Sequence, residues 1–118
     1  DLFWLQGGLR ISAMEQISFL RALHDGKLPF SKKTMATVRR LMIRKRAKGY
    51  TIHAKTGWAV RPKIQTGWYV GWVARPEGPC YFATNIETRR KAPSFAGARI
   101  RITMAALRQL KIISKQKP

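Results

Sequence analysis

Tyr50-Thr51-Ile52-His53-Ala54-Lys55-Thr56-Gly57-Trp58 is the stretch on which the reading of this chain turns. Alternation of apolar and polar side chains marks it as a strand, with Tyr50, Ile52 and Ala54 on one face and Thr51, His53 and Lys55 on the other. The strand ends in Lys55-Thr56-Gly57, which sets an ammonium, a hydroxyl and a residue without a side chain next to one another. Lysine brings a point charge with three donors and threonine a neutral donor. Glycine removes the Cβ that would obstruct a group lying flat against the strand. Together they form a shelf suited to a carboxylate and its attached carbonyl. A Lys-Thr-Gly triplet on its own is equally an exposed strand end turning at glycine, so the flanking sequence has to decide.

Downstream, Ala59 to Gln65 reads as a loop around Arg61-Pro62-Lys63, and Trp68 to Ala74 as a second strand with Trp68, Val70 and Trp72 on one face. Pro76-Glu77-Gly78-Pro79 is a tight turn, and Tyr81 to Glu87 a third strand that closes a hairpin. Thr88 to Pro93 forms a basic loop with Arg89, Arg90 and Lys91. A last helix from Ser94 carries Ile100, Met104, Leu107 and Leu110 on one stripe, with Arg101 and Arg108 opposite.

Upstream, Phe3-Trp4-Leu5-Gln6 is an apolar opening that stops at the glycine pair Gly7-Gly8. Ser12 and Glu15 have the spacing of a capping box, which starts a helix running to about His24, before Asp25-Gly26. Ser31 caps a second helix expected to reach about Lys45, with Met35, Val38 and Met42 inward and Arg39, Arg40, Arg44, Lys45 and Arg46 crowding its end. Gly49 then precedes the first strand. The fold class is therefore α+β, in the order helix, helix, three strands, helix, with a three-stranded antiparallel meander packed against the helices.

Composition narrows the function. At 118 residues, 45% hydrophobic and 25% charged, the chain holds one globular domain at most. No apolar run approaches the roughly 18 residues of a membrane span, and no stretch has a signal-peptide pattern. Cys80 is the single cysteine; between apolar neighbours it reads as a core residue, not a nucleophile. His24 and His53 stand alone, so no metal site is expected. The net charge of +19, from 24 Lys and Arg against five acids, points to an anionic partner such as nucleic acid or an anionic envelope surface. The favoured reading of that charge is the local balance of a fragment. The start at Asp1, without methionine, is read as a start inside a larger fold.

Phe3-Trp4-Leu5-Gln6-Gly7, Leu9-Arg10-Ile11-Ser12-Ala13 with Gln16 and Phe19-Leu20, Lys55-Thr56-Gly57-Trp58, and Gly67-Trp68-Tyr69-Val70-Gly71-Trp72-Val73 resemble, in order, the C-terminal segment of class D (oxacillinase-type) serine β-lactamases. Tyr81-Phe82-Ala83 to Asn85-Ile86 looks like the last strand of that family's sheet. These enzymes are related to the penicillin-binding proteins and DD-peptidases. The resemblance implies that residues 1–118 are one incomplete domain, supplying part of an enzyme that hydrolyses penicillins and oxacillin through an acyl-enzyme. It implies that Lys55, Thr56 and Gly57 bind the substrate carboxylate and that Leu5 walls the pocket. The Trp58 backbone N–H would be half of the oxyanion hole, and the Trp4 indole would donate to a carbamylated lysine base. That carbamate, derived from CO2, would lie outside this chain, and no other cofactor is implied.

The family's Ser-x-x-Lys, Ser-x-Val and Tyr-Gly-Asn motifs have no match here, so nucleophile and base are expected upstream of Asp1. Ser12, Ser18, Ser31 and Ser94 head no Ser-x-x-Lys. Gln6 stands where many relatives carry Glu. The family's carboxylate-binding arginine aligns best with Gly97, leaving Arg99 and Arg90 as candidates. The implied partners are β-lactams and the N-terminal segment of the same enzyme, in the periplasm. Two other readings compete: a penicillin-binding sensor or transpeptidase-like relative that acylates but turns over slowly, and a basic nucleic-acid-binding module. On the favoured reading no specific nucleic acid is bound.

Overall fold

The computed structural model describes residues 11–89 and 93–114. Helices α1 (Ala13–His24) and α2 (Lys32–Leu41) lead into strands β1 (Ile43–Ala47), β2 (Tyr50–Val60), β3 (Gln65–Ala74) and β4 (Cys80–Thr88), followed by helix α3 (Phe95–Gln109). The strands form one antiparallel sheet in the order β1-β2-β3-β4.

The capping box forms as the sequence predicts. Ser12 Oγ accepts from the Glu15 N–H at 3.1 Å, and the Ser12 N–H donates to the Glu15 carboxylate at 3.0 Å. These bonds hold the Glu15 carboxyl below its ordinary value. Ser31 accepts from the Thr34 N–H at 3.0 Å and starts α2.

Four strands, not three, make the sheet. The second helix stops at Leu41, and Ile43–Ala47 turns back antiparallel to β2, pairing Ala47 with Tyr50. The physical reason is the free edge of β2, whose backbone groups need partners. Gly49, at φ 91°, makes the tight reversal, and the Ala54 N–H donates to the Met42 carbonyl at 2.9 Å. The basic cluster assigned to a helix end therefore lies mostly on an edge strand, where exposed Arg44, Lys45 and Arg46 discourage pairing with a second sheet. The loop after β2 is also shorter than expected: the strand runs on to Val60, and the Arg61 N–H donates to the Ile64 carbonyl around Pro62-Lys63.

Each sheet face builds a core. Ile52, Ala54, Tyr69, Val73 and Phe82 pack with Leu107 of α3 and Ile113 beyond it, with half-buried Cys80 at the margin. On the opposite face Val70 and Trp72 pack with Leu20 and Leu23 of α1, Met35 of α2, and Met42. Gly71 lies so close to β2 that an added Cβ would overlap the His53 carbonyl oxygen.

The stripe predicted for the last helix is rotated. Phe95, Thr103 and Leu107 are buried, whereas Ile100 and Leu110 are exposed. Thr103 sets this rotation. Its Oγ1 lies 2.6 Å from Thr84 Oγ1 of β4 and 2.7 Å from the Arg99 carbonyl, so a hydroxyl at that position is satisfied inside.

Candidate active site

The shelf lies on the β2 edge just past the point where β1 gives out. β1 pairs with Tyr50 to His53, and the Ala54 N–H reaches Met42. Ladder groups alternate along a strand. The N–H groups of Thr56 and Trp58 therefore point to the same side as that of Ala54, along an edge that β1 does not cover. Gly57 pairs with Trp68 and Lys55 with Val70 on the β3 side, which keeps the segment straight and rigid.

In front of this edge opens an apolar cleft of about 490 Å³. Phe19 and Val38 line it from the two helices, Leu28 and Phe30 from the loop between them, Trp68 and Val70 from β3, and Lys55, Thr56 and Gly57 from its rim. The Lys55 side chain is exposed, and its Nζ donates to the Thr56 carbonyl at 2.6 Å.

Arg99 supplies a second cation from α3. Its Nη1 donates to the Gly57 carbonyl at 2.8 Å and its Nε to the Ala96 carbonyl at 2.8 Å. The guanidinium stands 5.3 Å from the Trp58 ring, which in turn meets Phe95 edge-on at 4.8 Å. Neither Lys55 nor Arg99 has a carboxylate partner among the described residues, where the one ion pair joins His24 to Asp25. Two uncompensated positive charges thus flank Gly57, an arrangement that favours an anion.

Of the predicted site residues, the structure brings together Lys55, Thr56, Gly57, Trp58 and Arg99. Gly97, the position that alignment favours for the arginine, has no side chain to offer; an added Cβ there would meet Arg101. Trp4, Leu5, Gln6 and Arg90 lie outside the described residues. Ser12 and Ser31 cap helices, and Ser18 Oγ donates to the Met14 carbonyl at 3.2 Å, so these hydroxyls are spent locally.

Sequence reasoning missed the aromatic stack that braces the strand. His53 lies parallel to Trp72 at 4.7 Å, and His24 meets the same indole edge-on at 5.7 Å. His53 Nδ1 is 2.9 Å from the Arg39 carbonyl, which can only accept, so this nitrogen carries the proton. Burial is the main reason the His53 imidazole sits below its ordinary value. Repulsion from Arg46, His24 and Arg39 adds to it, against the opposing pull of the carbonyl. The signal was present in the alternation that puts His53 and Lys55 on one face, two residues apart.

The chain is similar to known proteins in sequence and in structure. The model of the penicillin binding protein transpeptidase domain matches residues 2–106. The β-lactamase OXA-48 of Klebsiella pneumoniae is 42% identical over 113 residues, which is 96% of this chain and 42% of that protein. OXA-2 of Salmonella typhimurium is 45% identical over 86 residues, 73% of this chain and 30% of that protein. Among solved structures, a class D β-lactamase from Sebaldella termitidis superposes with a TM-score of 0.89 at 35% identity, covering 96% of this chain and 46% of that one. The class D enzyme YbXI from Nostoc superposes at 0.84 with 39% identity, covering 92% and 45%. The chain thus spans less than half the length of these relatives. With the family model matched along most of the sequence and class D β-lactamases as its relatives, the chain belongs to the penicillin-binding protein transpeptidase domain family.

Proposed function

We propose that this chain supplies the substrate-carboxylate and oxyanion half of a class D β-lactamase active site, the rest of which is built by a segment preceding Asp1. The carrying observation is the Lys55-Thr56-Gly57-Trp58 edge, bare of β1 and flanked by Lys55 and Arg99, which have no carboxylate partner among the described residues, at the rim of an apolar cleft. The relatives named above are β-lactamases, which supports opening of a β-lactam as the reaction; the acyl-enzyme route is what the motif resemblance implies.

In that reaction Lys55 and Thr56 hold the carboxylate of the antibiotic, with Arg99 adding positive potential from behind Gly57. The Trp58 N–H meets the carbonyl oxygen of the β-lactam as charge develops on it, a contact stronger in the transition state than in the ground state. Serine and base come from the preceding segment. Trp4, which lies outside the described residues, would donate to a carbamylated lysine there. Hydrolysis in the periplasm is part of the proposal. Among the described residues, no helix is long and apolar enough to cross a membrane.

Mass spectrometry with excess penicillin tests the division of labour. The 118-residue chain alone should form no acyl adduct, whereas the chain joined to its preceding segment should acylate and turn over. A stable adduct on any serine of the isolated chain overturns the half-site reading. Acylation without turnover in the joined protein would favour a penicillin sensor.

A further inference from the structure

The Gly57 carbonyl and the Trp58 N–H belong to one peptide unit, and its two ends face different neighbours. Gly57 pairs with Trp68, so its carbonyl turns toward β3, where Arg99 Nη1 donates to it at 2.8 Å. No cis bond occurs among the described residues, and a trans peptide sets its carbonyl and N–H on opposite sides. The Trp58 N–H therefore points away from Arg99, onto the edge that β1 leaves uncovered. Arg99 is fixed in this pose. Its Nε donates to the Ala96 carbonyl at 2.8 Å, and its guanidinium stands over the Trp58 ring. Its stem passes Gly67, the ladder partner of Trp58, where an added Cβ would stand 3.5 Å from Arg99 Cδ.

We propose that Arg99 is a positioning residue that acts through the Gly57–Trp58 peptide, its bond to the carbonyl oxygen making the Trp58 N–H a stronger oxyanion donor. A cation on the oxygen draws electron density from the attached nitrogen, and hydrogen bonds in such a chain strengthen one another. The inference rests on the oxyanion role proposed above for Trp58 and gives that donor a cause distinct from attraction of the substrate carboxylate. One oxyanion donor is worth about 10²–10³ in rate, and a linked hydrogen bond strengthens it by about 10–30%, so the Arg99 bond should contribute roughly two- to eightfold.

Amide hydrogen exchange in the full chain reads the effect without any reaction. Hydroxide removes the Trp58 amide proton and leaves negative charge shared with the Gly57 oxygen, which the guanidinium stabilises. Arg99→Met keeps an unbranched stem over Trp58 and Gly67 but removes the donor. It should slow base-catalysed exchange at Trp58 by about threefold or more. Arg101→Gln, which removes an exposed cation bonded instead to the Ser94 carbonyl, should leave that rate within about 1.5-fold. A merely structural role has the opposite sign, because a loosened strand exchanges faster. Unchanged or faster exchange in Arg99→Met overturns the proposal. If that variant disturbs the circular dichroism spectrum, Arg99→Lys carries the comparison, with a smaller slowing expected and the same overturning results. In the joined enzyme, acylation by a penicillin methyl ester, which lacks the carboxylate charge, separates the two roles of Arg99. Arg99→Met should slow it by roughly two- to eightfold, in kcat more than in KM. A loss with penicillin but none with the ester would reduce Arg99 to a carboxylate contact and overturn the proposal. If the joined protein acylates with neither compound, the half-site reading fails by itself, and the exchange rate at Trp58 still decides the role of Arg99.

Discussion

The two faces of the sheet differ in how far they are finished. Against α3, Ile52, Ala54, Val73, Phe82 and Leu107 form a continuous core, and Ile52 is only 1% exposed. Against α1 and α2 the packing is complete around Trp72, with half-buried Trp68 at its margin, but stops short of Lys55, leaving Phe19 at 48% and Phe30 at 60% exposed. The charged shelf sits at that unfinished end. A closed face holds the strand in place, while the neighbouring open face presents it to a ligand or to more protein.

The largest effects should come from the closed face. Ile52→Ala should cost about 2–5 kcal/mol in urea unfolding of the chain, because a fully enclosed side chain leaves a cavity. Phe30→Ser, on the cleft, should change stability by no more than about 0.5 kcal/mol. Equal costs at the two positions would break the contrast between the faces.

Next comes the shelf. In the joined enzyme, Lys55→Ala should lower kcat/KM by roughly one to two decades, matching a lost charge-assisted contact of about 1.5–3 kcal/mol. The same change in the chain alone should leave the unfolding midpoint nearly untouched, since Lys55 is exposed. A large loss of stability would show that the lysine supports the fold and does not serve a ligand.

Smaller again is the capping box. Ser12→Ala should cost about 1 kcal/mol, and Ser12→Asp should restore most of it. The variant sharpens the comparison by showing how firmly α1 is tied to the open face.

The smallest effect is a pH dependence located at His53. Its folded value is depressed below the ordinary 6.5, so the unfolded chain takes up the proton first as pH falls. The stability contributed by neutral His53 should be full above about 6.5 and lost as the pH drops through the depressed folded value. His53→Gln should flatten urea midpoints measured between about pH 7 and 5. An unchanged slope would rule out His53 as the titrating group.

Much of this molecule was legible in local sequence. The α+β class, both N-caps, the alternation along Tyr50–Trp58 and the β3–β4 hairpin depend on neighbours within a few residues, and each appears where its pattern places it. The Lys-Thr-Gly shelf was readable because side-chain chemistry and strand alternation are local properties. Its family meaning came from motifs in order along the chain, not from any one triplet.

Tertiary structure decided the rest. Ile43–Ala47 carries helix-compatible Arg and Lys, and only the exposed backbone of β2 makes it a strand. The rotation of α3 depends on a hydroxyl of β4 reaching Thr103. Arg99, not Gly97, comes to the shelf because α3 crosses the sheet where the Gly57 carbonyl can accept its guanidinium, 42 residues away in sequence. These outcomes are fixed by partners far along the chain, whose backbone and side-chain groups become adjacent only once the sheet has formed, and a local pattern carries no trace of them.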